Sequence, residues 1–244
     1  MKTFNFIKTL LPALAMLFTT MQTQAQEQEI IRTNVEGKGR EIILTVTSGK
    51  EHNHPMMAAW LEDMDGNFLQ TIYVNQSVAK GYFAYAENNN GSWQPGAVIR
   101  PASLPVWAHK RGIKSDEGHF MPTLDNPVPD AYTSATPPAD FSIISKAEQK
   151  ISGKVKIFFE INQSWDWNEY WTNSKFPDDA DYKTSSQPSV VYSAIIDFDK
   201  PGEVVFLKAI GHGHYSGKDG DINTDQSTLT TALQIVDEVS VVVE

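Results

Sequence analysis

The chain has 244 residues, 30 acidic side chains against 20 basic ones, a formal net charge of −10 and no cysteine. A chain of this length buries enough apolar surface to fold without disulfide staples. The missing thiols exclude cysteine nucleophiles, iron–sulfur ligation and the small disulfide-dense secreted folds. The negative charge opposes phosphate backbones and anionic lipid surfaces, which argues against nucleic acid as a partner.

The chain opens as an export signal. Lys2 and Lys8 supply a positive n-region ahead of an apolar run at 10–18, and Thr23-Gln24-Ala25 offers a small-x-small cleavage site. The run is about half the roughly 20 residues that span a bilayer, so residues 1–25 read as a cleaved signal peptide rather than an anchor. The expected product is periplasmic or secreted, soluble and not membrane-spanning. Losing the leader removes two lysines and no acids, so the net charge of −10 becomes −12.

Residues 26–244 read as one domain. Segments 30–35 and 41–47 are rich in β-branched residues, and Gly37-Lys38-Gly39 between them predicts a hairpin. Segments 57–62 and 68–74 flank Asp65-Gly66-Asn67, a second hairpin signal. From about 75 to 139 the pattern weakens into prolines, an Asn88-Asn89-Asn90-Gly91 turn and short apolar runs. That stretch reads as an irregular insertion with one short strand near Val98. Strands return at 141–145, 155–161, 190–198 and 204–210. Segment 229–236 reads as a helical turn or two before a last strand from 238. Short strands broken by turns, with almost no helical periodicity, predict an all-β fold: an antiparallel immunoglobulin-like β-sandwich with a long irregular insertion.

Five stretches carry a resemblance. They are Ala59-Trp60-Leu61-Glu62-Asp63-x-Asp65-Gly66-x-Phe68-x-x-Thr71, Arg100-Pro101-x-x-Leu104-Pro105-x-Trp107, Asp130-Ala131-x-Thr133-x-Ala135-Thr136, Phe159-Glu160-Ile161-Asn162 and Ile210-Gly211-His212-Gly213-His214. Together the chain resembles a family of bacterial periplasmic proteins of unknown function. The resemblance implies an immunoglobulin-like fold and a setting near envelope systems that pair membrane reductases with flavin transfer.

Three constellations carry candidate chemistry. The first is two His-x-His pairs, His52 with His54 and His212 with His214. On a strand, residues i and i+2 point the same way about 7 Å apart at Cα. Two imidazoles so placed can approach one transition-metal ion, and each pair closes a predicted strand. Alternatively, each pair is a polar loop beside glycine or proline. The second is Asp130-Ala131-Tyr132-Thr133-Ser134-Ala135-Thr136, which resembles the acceptor motif at which a flavin transferase esterifies FMN to threonine. The resemblance implies a flavin on Thr136, with Asp130, Ser134 and Ala135 shaping the loop. The third is Trp165, Trp167, Tyr170 and Trp171 interleaved with Asn162, Ser164, Asp166 and Asn168. Ring faces beside hydrogen-bonding groups suit a sugar platform, while two tryptophans on an inner sheet face would be ordinary core.

The stretch from Asp219 to Asp225 alternates oxygen-bearing side chains as calcium loops do, but Thr224 and Thr230 stand where such loops need Gly and Glu. A solvated turn is the better reading. Gly-x-Ser-x-Gly, phosphate-cradling glycine loops and His-Glu-x-x-His are absent. The sequence thus points first to an exported non-catalytic accessory protein that handles metal beside an inner-membrane reductase or transporter component. A flavinylated electron carrier and a glycan- or protein-binding module stand as alternatives.

Overall fold

The computed structural model describes residues 28–89, 91–182 and 185–244; the export signal read at 1–25 lies outside the described residues. In chain order the strands are β1 (Glu29–Thr33), β2 (Glu41–Ser48), β3 (Met56–Glu62) and β4 (Phe68–Asn75). The insertion follows with a short helix α1 (Gln76–Lys80), β5 (Tyr82–Asn89), β6 (Ser92–Ala97), helix α2 (Pro105–Arg111), a 3-10 turn (Asp130–Tyr132) and β7 (Thr133–Ser134). The chain closes with β8 (Phe141–Lys146), β9 (Lys154–Asn162), β10 (Val190–Asp197), β11 (Val205–Phe206), β12 (Lys208–His212), a 3-10 turn (Thr231–Gln234) and β13 (Val236–Val243).

Two sheets make the sandwich. One runs β1-β8-β2-β13-β11, the other β12-β10-β9-β3-β4-β7, and β5 pairs with β6 as a separate ribbon. The all-β sandwich expectation holds. Pairing is antiparallel through both interiors, but the sheets are mixed, because β1 runs parallel to β8 and β7 parallel to β4.

The predicted hairpin across Gly37-Lys38-Gly39 does not form. Both β1 and β2 pair with β8, which lies between them. The glycines serve close approach instead: a Cβ on Gly39 would stand 2.2 Å from the Gln149 carbonyl oxygen, and one on Gly37 2.6 Å from that of Ala147. The β3–β4 hairpin does form. Asp63 caps its turn, accepting the backbone N–H groups of Asp65 (2.9 Å) and Asn67 (2.8 Å), while Gly66 takes a left-handed φ of 88°. Segment 204–210 is two strands rather than one. Leu207 is buried in the main core, so the chain crosses from β11 in one sheet to β12 in the other at that residue.

Every residue of β3 is buried, because its two faces serve two cores. Met57, Ala59 and Leu61 join Ile42, Leu44, Phe141, Phe159 and Val239 between the sheets. Ala58 and Trp60 join Phe158, Val74 and Val191 on the opposite face, where Val78, Leu104, Val106, Trp107 and Met121 cover them. The insertion is therefore a second wall of core rather than a plain loop; the strand expected near Val98 is β6, which ends at Ala97, and β5 is an additional strand paired with it. Glu160 ties that wall down. Its buried carboxylate accepts the N–H groups of Val106 (3.2 Å) and Trp107 (2.8 Å) in the first turn of α2, and the Ser189 hydroxyl (2.5 Å). Burial pushes its pKa up to about 7, against the opposing pull of those three hydrogen bonds.

Candidate functional site

The connection 163–189 between β9 and β10 carries the tryptophan cluster, and it is not a continuing strand. Trp165 has a left-handed φ of 63°, a conformation that costs a residue with a Cβ on the order of 1–3 kcal/mol. A local network holds it there. The Gln187 side chain donates to the Asp166 carbonyl (2.9 Å) and to the Thr231 hydroxyl oxygen (2.6 Å), and accepts from the Thr230 N–H (2.7 Å). The Thr231 hydroxyl donates in turn to the Asp166 carboxylate. Burial raises the Asp166 pKa, and the bonds from Thr231 and Gln187 oppose the shift. With the residue after it so anchored, the Trp165 indole is pushed outward and stays 51 % exposed.

Opposite it stands the β5–β6 ribbon. Trp93 on β6 faces Trp165 with ring centroids 5.5 Å apart and an interplanar angle of 48°, within the range of favourable aromatic pairs. Tyr85, exposed on β5, adds a third ring. The three rings line a cleft of about 330 Å³ completed by Val98, Ile99, Arg100, Ser164 and Asp181, among others. That size falls at the lower end of small-molecule sites, roughly 300–1,000 Å³. Arg100 rests on the Phe83 ring at 4.1 Å and donates from Nη2 to the Tyr85 carbonyl (2.6 Å). No carboxylate lies within ion-pair reach of it among the described residues, and burial lowers its pKa. Across the cleft, burial and the neighbouring Asp179 raise the Asp181 pKa, with His119 opposing. The site thus offers ring faces, a guanidinium and hydroxyl as donors, and a carboxyl as acceptor.

The expected platform of Trp165, Trp167 and Trp171 is divided. Trp165 lines the cleft, whereas Trp167 is 42 % exposed and does not line it. Trp171 is buried in an aromatic cluster with Phe176, Tyr182 and Tyr215, its N–H donating to the Thr228 hydroxyl oxygen at 3.1 Å.

The two histidine pairs lie at the same end of the sandwich but engage different neighbours. Carbonyl oxygens of Ile235 (3.3 Å) and Pro137 (3.1 Å) stand against the two ring nitrogens of His52, occupying the positions a metal would need. His54, at a left-handed φ of 51°, is exposed and bonds Asn53. His212 closes the edge strand β12, which strand order sets three spacings from β3, about 14 Å. It donates from Nδ1 to the Gly213 carbonyl (2.7 Å). His214 accepts at Nδ1 from the Ser216 N–H and stacks on Tyr215. Among the described residues no group of three or more His, Cys, Asp or Glu side chains is arranged to hold a metal ion. The stretch from Asp219 to Asp225 is irregular and bridges back to the end of β12, His212 and Asn223 exchanging backbone N–H···O bonds at 2.9 Å, while Asp219 accepts from the Asp221 N–H and Asp225 from the Ser227 N–H.

Thr136 and Asp130 lie at the two ends of a short stretch pinned to the edge of β4. The Thr136 hydroxyl accepts from the Asn75 side-chain amide at 2.7 Å. Asp130 pairs with Lys80 at 3.0 Å.

Tyr85, Trp93 and Arg100 are the site residues that sequence reasoning missed. Tyr82, Phe83 and Tyr85 before the Asn-Gly turn, with Trp93 just after it, were the available signal of an aromatic hairpin. Comparison of the chain with family models, with curated proteins and with solved structures finds no match.

Proposed function

We propose that the chain is an exported, non-catalytic binding protein that takes a carbohydrate in the cleft formed by Tyr85, Trp93 and Trp165. The supporting observation is a large indole kept in a strained backbone and half in water, packed against a second exposed indole on the wall of a cleft. The backbone costs energy and exposed apolar rings invite association, and the contact between the two indoles offsets only part of this. A ligand that stacks on the rings repays both. A sugar ring suits the geometry, since its apolar face covers an indole while its hydroxyl groups meet Arg100, Ser164 and Asp181 at the cleft walls.

The leader-like residues 1–25 and the resemblance to periplasmic proteins near flavin and redox systems support an extracytoplasmic setting, beside an inner-membrane reductase or transporter component. Metal and flavin readings have less support, because the imidazoles serve separate neighbours and the Thr136 hydroxyl already accepts from Asn75. Calorimetric titration with cello-, xylo-, malto- and chito-tetraose tests the proposal. At least one should bind, and Trp165→Ala should weaken it tenfold or more, a loss of about 1.4 kcal/mol. Absence of binding to all four, or affinity indifferent to Trp165→Ala and Trp93→Ala, would refute it.

A further inference from the structure

A second cleft, of about 360 Å³, lies between the 163–189 connection and the chain leaving β12, and shares no lining residue with the first. Its walls are the rings of Tyr170, Trp171 and Tyr215, the imidazoles of His212 and His214, and the carboxylates of Asp219, Asp221 and Asp225. No lysine or arginine lines it, and none of the three carboxylates is in a salt bridge among the described residues.

His212 gives this cleft direction. The residue is only 5 % exposed. Its Nδ1 donates to the Gly213 carbonyl, an oxygen that can only accept. In the neutral ring Nε2 therefore carries the lone pair. That nitrogen has no hydrogen-bond partner among the described residues and is not among the atoms sealed from solvent without one. Nε2 is therefore reachable from solvent, on a ring that lines the cleft.

The rim shows what chemistry these rings accept. The Lys175 ammonium sits 3.4 Å from the Tyr170 ring centroid and 5.4 Å from that of Trp171, and has no carboxylate partner among the described residues. Aromatic faces attract cations through their quadrupole, and here the chain's own primary ammonium uses two of the cleft's rings. Carboxylates, an unpartnered imidazole acceptor and cation-receptive rings share one complement: a small organic ammonium with N–H donors. We infer that this cleft binds a primary amine, the ammonium set against the aspartates with one N–H donated to His212 Nε2. A metal ion fits less well, because the carboxylates turn back on their own backbone and no ligand group of three is assembled.

The probe is 1,4-diaminobutane, followed by Trp171 fluorescence at neutral pH, with calcium and tetramethylammonium as competitors. Saturable binding that weakens at least fivefold in an Asp221→Asn/Asp225→Asn variant supports the site. Both residues are exposed, so the variant should fold, and an unchanged unfolding midpoint confirms it. Absence of saturable binding overturns the inference. So does equal affinity for tetramethylammonium, which has no N–H to donate, or displacement of the amine by micromolar calcium, which would make this a metal site.

Discussion

Six tryptophans divide evenly between two environments. Trp60, Trp107 and Trp171 are buried, and each indole N–H has a partner: Glu62 at 2.9 Å, Thr71 at 3.1 Å and Thr228 at 3.1 Å. Trp93, Trp165 and Trp167 are exposed, and none of their N–H groups has a protein partner among the described residues. Buried indoles are kept for packing and must have the N–H satisfied. Exposed ones satisfy it in water, so their retention needs another reason. The contrast separates indoles that make the fold from Trp93 and Trp165, to which the proposed function assigns a ligand.

The largest expected effect lies on the buried side. Trp60→Ala or Trp107→Ala should cost about 3–5 kcal/mol in denaturant unfolding, since both indoles fill the wall between the insertion and the second sheet. Trp93→Ala should change stability by less than about 1 kcal/mol. Equal losses in the two sets would erase the distinction.

The same wall should respond to pH through Glu160. Its carboxyl pKa is raised from 4.5 to about 7 in the folded protein. Between those values the folded state binds more protons than the unfolded chain, so its contribution to stability falls as pH rises from 4.5 to 7. The loss is on the order of 3 kcal/mol at most. Glu160→Gln should flatten that part of the stability–pH profile, and an unaltered profile would show that another group titrates there.

How much of this the sequence disclosed follows from which interactions are local. The β3–β4 hairpin was legible because Asp63, Gly66 and Asn67 build its turn within five residues. The β1–β2 pairing was misread because the same glycine chemistry serves the approach of β8, about a hundred residues on. The insertion looked irregular because its apolar residues pack against the far side of a sheet instead of following a period of their own. At the site, Trp165 was flagged by composition, but its partners Trp93 and Tyr85 are more than 70 residues away in sequence. No spacing rule links them.

Two smaller effects sharpen the comparison on the exposed side. Thr231→Val removes the donor to the Asp166 carboxylate. It should cost about 1–3 kcal/mol of stability and also weaken sugar binding by freeing the Trp165 backbone. Trp165→Gly should go the other way. Relief of the left-handed backbone, partly offset by glycine's chain entropy, should raise stability by up to about 1 kcal/mol while binding is lost.

Nitrogen-resolved NMR of the six indole N–H groups during oligosaccharide titration addresses the division most directly. The Trp93 and Trp165 resonances should shift in a saturable manner, with Trp60, Trp107 and Trp171 unmoved. Six stationary resonances, or a shift centred on Trp171 instead, would contradict the assignment of the first cleft as the carbohydrate site.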